Sequence, residues 1–109
     1  MKKYRFNKMT RGWFVGDFKP TAFQTKDCEV GFKIYKAGDN EPAHVHKVAT
    51  ELTLITSGVV EMNKKHYAEG DIVMISPGEI VKFRAITDAT NVVVKVPSVK
   101  GDKYIVEEK

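Results

Sequence analysis

Short apolar segments, each bounded by turn residues, make up most of this 109-residue chain. In the segment 29–35, Val30, Phe32 and Ile34 fall on one face of an extended backbone, as the two-residue period of a β-strand requires. Glycine, proline or Asn/Asp turns separate it from comparable segments rich in Val, Ile, Thr and Phe, so each segment predicts a short strand. These further segments are residues 51–56, 59–62, 71–76, 80–86 and 91–96.

Helical patterns are weak in the rest of the chain. No window of about a dozen residues has a clean 3.6-residue period, and only residues 21–25 are predicted to form a single helical turn. Residues 12–18 predict an N-terminal strand that covers the fold or docks on a partner, and residues 104–106 predict a short edge strand. Many short strands at regular spacing predict an all-β domain, either an antiparallel sandwich or a barrel.

Composition narrows the class of protein. Hydrophobic residues make up 42% of the chain and charged residues 29%, which is typical of a globular domain. The net charge of +4 comes mostly from scattered lysines, which argues against nucleic-acid binding, because nucleic-acid readers cluster their basic residues. The single cysteine, Cys28, excludes an intramolecular disulfide. The sequence shows no membrane-length apolar run and no signal peptide, so we expect a cytoplasmic protein.

Three potential metal ligands lie within eight positions in the middle of the chain. His44 and His46 are two residues apart, so on a strand they point to the same side, about 7 Å apart along the backbone. Glu51 follows His46 by five residues, an odd number, and on a continuous strand it would face the opposite way. The three side chains can therefore meet only if the chain bends or bulges near Val48 and Ala49.

Two imidazoles and one carboxylate form a ligand set that suits a divalent transition metal ion. Iron, manganese, nickel, zinc and cobalt all accept these donors, and three protein ligands leave coordination positions open for water or substrate. The same residues have an interpretation without metal, in which the histidines simply form hydrogen bonds with Glu51 inside the fold. Both interpretations stay open at this stage.

The spacing around these residues resembles a known family motif. The pattern G-x5-HxH-x4-E-x6-G is similar to the first conserved motif of the cupin superfamily at every anchor position. In this chain the anchors are Gly38, His44, His46, Glu51 and Gly58.

A second segment resembles the other cupin motif, G-x5-P-x-G-x2-H, only in part. Gly70 and Gly78 occupy its glycine positions, but Ser76 stands where proline is usual. Val81 stands where the motif has its histidine, and an apolar side chain cannot coordinate a metal. The resemblance therefore implies a metal centre with three side-chain ligands, His44, His46 and Glu51.

The resemblance covers roughly residues 29–96 and implies an antiparallel jelly-roll β-barrel, which agrees with the strand pattern. Many cupins are dimers, so it also implies a homodimer. On this basis residues 1–109 form a single cupin-like domain. Residues 1–28 are an N-terminal segment with a covering or swapped strand, and residues 29–96 are the barrel core.

A small-molecule pocket is the next expectation. If Glu51 faces inward, Thr53 and Ile55 do so as well, and Phe83 shares the face of Val81. An apolar cavity with a polar centre is the usual composition of a small-molecule site, although the same residues could simply fill the barrel. The predicted lining consists of Phe32, Ile34, Thr53, Met62, Met74, Val81 and Phe83.

Three functions fit these features. One is a metal-dependent enzyme acting on a small molecule, with the ion as a Lewis acid. Another is a non-catalytic module that binds a small ligand such as a sugar or a carboxylate, and the valine at position 81 favours it somewhat. The last is a structural dimerisation module without metal. The sequence does not choose the substrate or the metal.

Overall fold

The computed structural model describes residues 1–107, which form eleven strands and one short 3-10 helix, Phe6–Lys8. This part of the chain contains no helix with the length and hydrophobicity needed to cross a membrane. The strands are β1 (Trp13–Gly16), β2 (Phe23–Gln24), β3 (Glu29–Tyr35), β4 (Asn40–Val45), β5 (Thr50–Ser57), β6 (Val59–Met62), β7 (Lys65–Ala68), β8 (Ile72–Ile75), β9 (Ile80–Ala85), β10 (Ala89–Val96) and β11 (Tyr104–Ile105).

Two sheets form the molecule. The six-stranded sheet has the order β2-β1-β3-β10-β5-β8, and the five-stranded sheet has the order β11-β4-β9-β6-β7. All pairs are antiparallel except β1 with β2, which are parallel. The predicted all-β, antiparallel architecture is therefore confirmed.

The predicted strands agree closely with the structure, but β7 was not among them, and one predicted helical turn is absent. The segments 29–35 and 59–62 coincide with β3 and β6. The helical turn predicted at 21–25 is wrong, because this segment pairs with β1 instead. The Ala22 N–H donates to the Phe14 carbonyl at 2.9 Å, and these sheet bonds replace the bonds of a helical turn.

The apolar core lies between the sheets. On β5 the buried side chains are Thr53 and Ile55, while Leu52 and Leu54 point away, as the two-residue period requires. The inner positions of β9 are buried in the same alternating way. The core cluster consists of Ile55, Val60, Met62, Ile75, Val81, Phe83, Ala85 and Ala89.

The outer face of the six-stranded sheet is unusually apolar, and it explains three errors in the predicted pocket lining. Ile34 is 65% exposed and Met74 is 63% exposed, so both lie on this outer face. Phe32 also lies outside the cavity, where its ring contacts the ring of Phe6 at 6.0 Å between centroids. On β3 the polar residues Lys33 and Tyr35 line the cavity. The apolar residues that alternate with them therefore point to the outer face of the sheet.

Candidate functional site

The short link 46–49 takes the chain from β4 in one sheet to β5 in the other. A carboxylate from the C-terminal segment holds this link in place. Asp102 accepts hydrogen bonds from the backbone N–H groups of Lys47 at 2.8 Å, Val48 at 3.2 Å and Ala49 at 2.9 Å. The extended chain is therefore interrupted where the odd spacing of the ligands requires an interruption.

This interruption brings His44, His46 and Glu51 to one cavity between the sheets. The cavity has a volume of about 510 Å³, which is in the range of small-molecule sites. Of the residues predicted to line it, four do so: Thr53, Met62, Val81 and Phe83. Polar and aromatic residues that the sequence did not indicate complete the lining; among them are Trp13, Lys33, Tyr35, Glu41, Asn91 and Lys95.

The two histidines are buried side by side. Their ring centroids are 5.3 Å apart and the rings are nearly perpendicular, at 81°. The Nδ1 of His44 lies 3.1 Å from the Pro42 carbonyl, to which it donates in the tautomer that leaves Nε2 with its lone pair. The Nε2 of His46 is buried and has no hydrogen-bond partner in residues 1–107. One imidazole nitrogen of the site is therefore buried without a partner.

The surroundings keep His46 neutral. Burial is the main cause that lowers its pKa, to about 4, and the positive charge of Lys95 and the neighbouring His44 act in the same direction. At neutral pH the ring therefore carries no proton on one of its nitrogens, which is the form that accepts a hydrogen bond or binds a metal.

Glu51 faces the same cavity but does not contact the imidazoles through a hydrogen bond. Its carboxylate accepts a bond from the Thr53 hydroxyl at 3.1 Å. Burial raises the pKa of Glu51, and Lys95, its register partner on β10, opposes that rise. Within residues 1–107, no three His, Cys, Asp or Glu side chains are grouped so that they could hold a metal ion as they stand.

The opposite side of the site is apolar and aromatic. Val81 pairs with His44 between β9 and β4, so its side chain lies where a further histidine ligand would be expected. The ring of Phe83 packs 4.6 Å from that of Tyr35, whose hydroxyl donates to Glu41 at 3.3 Å. Burial and the nearby Glu41 raise the pKa of Tyr35, which stays a neutral hydrogen-bond donor.

The polar lining from β3 and β10 was missed for a simple reason. An alternating strand is normally interpreted with its apolar residues inside. Here Lys33 and Tyr35 on β3, and Asn91 and Lys95 on β10, take the inner positions. The signal was their own two-residue spacing, which places polar side chains on one face of each strand.

No family model matches the sequence, and no curated protein matches it either. Solved structures match at the level of the fold. A conserved Klebsiella pneumoniae protein with a double-stranded β-helix domain has a TM-score of 0.70 at 24% identity, over 77% of this chain and 74% of that one. An RmlC-like cupin from Shewanella frigidimarina has a TM-score of 0.65 at 14% identity, over 70% and 71%.

Two of the similar structures are named as enzymes, a DMSP lyase and an oxalate decarboxylase. The DMSP lyase DddQ from Ruegeria pomeroyi has a TM-score of 0.72 at 17% identity, over 87% of this chain and 51% of that one. These identities establish a shared architecture rather than a shared reaction. The chain has the antiparallel double-stranded β-helix fold of the RmlC-like cupins.

Proposed function

We propose that this protein binds a small molecule inside its barrel, at a centre formed by His44, His46 and Glu51, and that this centre takes a divalent transition metal ion. The observation that supports it most is the buried, unpartnered Nε2 of His46. Leaving such an atom without a partner costs about 1–3 kcal/mol. A metal ion, or a donor group of a bound ligand, would remove that cost.

The donor chemistry fits a metal ion. The Pro42 carbonyl orients the His44 ring through Nδ1, as backbone carbonyls commonly do for metal-binding histidines. Glu51 would add an oxygen donor by exchanging its bond to Thr53 for the ion. Iron, manganese, nickel and zinc all suit this set, and a bound ion would supply a Lewis acid with open coordination positions.

The second candidate is the same small-molecule binding without metal. The observation in its favour is that Glu51 already has a hydrogen-bond donor in Thr53, and that apolar Val81 replaces a potential fourth ligand. One protein with a similar fold is named as a lyase, yet a fold hosts many unrelated functions. The proposal is therefore binding, and it assigns no reaction.

Elemental analysis of protein purified without an affinity tag tests whether the chain binds a metal ion at this centre. We expect close to one ion per chain in the wild type and none in the His44→Ala, His46→Ala double variant. His66→Ala is the matched control, because His66 is an exposed histidine on β7 beside Glu61. Absence of metal in the wild type, with no thermal stabilisation by added iron, manganese, nickel or zinc, would leave only the metal-free candidate.

We also propose that two copies pair through the outer face of the six-stranded sheet. Residues in register across β3, β10, β5 and β8 form two rows there without a charged member. The rows are Phe32–Val92–Leu54–Ile72 and Val30–Val94–Leu52–Met74.

An apolar sheet face of this kind can pair with its own copy about a two-fold axis. Four strands give it a width of about 19 Å, and monomers seldom expose a contiguous apolar patch above a few hundred Å². A stable dimer needs about 800 Å² from each copy, so the rows would form the interface core. The neighbouring N-terminal segment, through Phe6 beside Phe32, would extend it.

A further inference from the structure

Two lysine ammonium groups lie against the only tryptophan of the chain, at the wall of the cavity. The Nζ of Lys95 is 4.8 Å from the ring centroid of Trp13, and the Nζ of Lys33 is 5.3 Å from it. The indole can lie there because Gly31 has no side chain: an added Cβ would meet the ring at 2.7 Å. The three side chains come from adjacent strands, β1, β3 and β10.

The ammonium groups are half-buried and have few acceptors. Burial is the largest effect on each and lowers the pKa of both Lys33 and Lys95. Lys33 donates one hydrogen bond, to the Arg11 carbonyl at 2.7 Å, whereas the contact of Lys95 is with the Trp13 ring. In the described part of the chain, neither ammonium forms an ion pair with a carboxylate.

Two carboxylates lie near Lys95, raise its pKa against the effect of burial, and form hydrogen bonds with other side chains rather than with its ammonium. Glu29 and Glu51 flank Lys95 in register, but Glu29 accepts the Ser98 hydroxyl at 2.8 Å and Glu51 accepts the Thr53 hydroxyl at 3.1 Å. A partly desolvated cation is stabilised by an anionic hydrogen-bond acceptor. An anionic group from outside the chain would supply such an acceptor to both ammonium groups.

A second unpartnered atom lies on the same cavity wall. Asn91 is 1% exposed, and its Oδ1 has no hydrogen-bond partner within residues 1–107. Asn91 is also the register partner of Lys33, so it lies beside the cationic groups. A buried carbonyl oxygen needs a donor, and a hydroxyl group on a ligand would supply one.

We propose that Lys33, Lys95 and Trp13 form an anion subsite, and that the ligand is a small hydroxycarboxylate. Its carboxylate accepts hydrogen bonds from both ammonium groups, and a hydroxyl donates to Asn91. The carbon chain packs against the Trp13 ring, and the cavity of about 510 Å³ has room for it. This inference rests on the proposed function, because it assigns a ligand class to the same cavity.

Tryptophan fluorescence tests the subsite directly, since Trp13 is the only source of the signal. The probe is gluconate, titrated at constant ionic strength. Sorbitol is the comparison, because it has the same six-carbon hydroxylated chain without the carboxylate. We expect a saturable change with gluconate, and none with sorbitol over the same concentration range.

Lys33→Met and Lys95→Met remove each ammonium and keep an apolar stem. Each should weaken gluconate binding by about tenfold or more, because a charge-assisted hydrogen bond is lost. Lys65→Met is the matched control, an exposed lysine on β7 of the other sheet, and it should bind as the wild type does.

Equal affinity for sorbitol, unchanged affinity in both lysine variants, or no saturable signal in the wild type would each overturn the anion subsite. The metal content of the same samples separates this failure from failure of the proposed centre. If wild-type protein holds metal through the histidines but gives no gluconate signal, the ligand class is wrong and the centre stands. If both are missing, neither assignment survives.

Discussion

The carboxylate of Asp102 offers the sharpest test of how the site is held together. It comes from the C-terminal segment, is 7% exposed, and accepts hydrogen bonds from three consecutive backbone N–H groups, at Lys47, Val48 and Ala49. Those groups belong to the link that joins the histidines to Glu51. Replacing Asp102 with asparagine keeps the shape, removes the charge and leaves one carbonyl oxygen to serve the three donors.

The expected loss in the free energy of unfolding follows from the number of hydrogen bonds that Asp102 accepts. Hydrogen bonds to a charged group contribute about 1.5–3 kcal/mol each, and a single amide oxygen can replace one or two of them. Asp102→Asn should therefore lower the free energy of unfolding by about 2–4 kcal/mol. With an unfolding entropy of about 2.1 cal/mol/K per residue, a chain of this length should lose about 9–17 °C in Tm.

Thermal unfolding followed by circular dichroism measures this loss. Asp71→Asn is the matched control, because Asp71 is exposed and its carboxylate accepts one backbone N–H, that of Ala68 at 2.8 Å. The control should change Tm by less than about 4 °C. If Asp102→Asn melts no lower than Asp71→Asn, the link is not held by this carboxylate and the reasoning is refuted.

The pH dependence of the same variant gives a second readout. Burial alone would raise the pKa of Asp102, but the backbone N–H groups outweigh burial and hold the pKa below its usual range. The stabilisation is therefore present above the unfolded-state pKa of about 3.9, and it is lost as the pH falls through the folded-state value. The difference in stability between wild type and Asp102→Asn should be full at pH 6 and shrink below about pH 4. A difference that stays constant down to acid pH would contradict the assignment.

Three further changes probe the rest of the structure. Val81→His places an imidazole beside His44 and should tighten zinc binding by about tenfold or more. Competition with a chelator measures this affinity, and an unchanged value would mean that position 81 does not face the ion. Leu54→Lys puts a charge in the outer apolar rows and should convert the dimer into a monomer, as measured by light scattering. A wild-type protein that is monomeric at about 100 μM would contradict the dimer. Gly31→Ala forces a Cβ against the Trp13 ring and should lower Tm by about 4–13 °C, since overpacking costs about 1–3 kcal/mol. A variant that melts at the wild-type temperature would show that the ring moves aside freely.

Local patterns were sufficient to predict most of the strands and the bend between His46 and Glu51. Turn residues bound β3 and β6 at the predicted positions, and the odd spacing from His46 to Glu51 required an interruption that the structure contains. It was harder to predict which face of each strand points into the cavity. Ile34 was expected inside because apolar residues usually mark the core, yet it lies on the outer apolar face.

Contacts between distant parts of the chain could not be predicted. Asp102 lies 53 to 55 residues from the three N–H groups that it binds, and nothing near it in sequence indicates that role. Lys95 and Trp13 likewise meet only because β10 and β1 both flank β3. Such pairs depend on the order of strands in the sheet, which local periodicity does not specify.

Calorimetric titration of zinc into tag-free protein, first stripped with a chelator, tests the central claim most directly. The account predicts one saturable site per chain in the wild type and in His66→Ala. It also predicts binding at least about tenfold weaker in Glu51→Gln, which removes the carboxylate charge and keeps its size. No saturable binding in the wild type, or the same affinity in Glu51→Gln, would show that Glu51 and the two histidines do not act on a common ion.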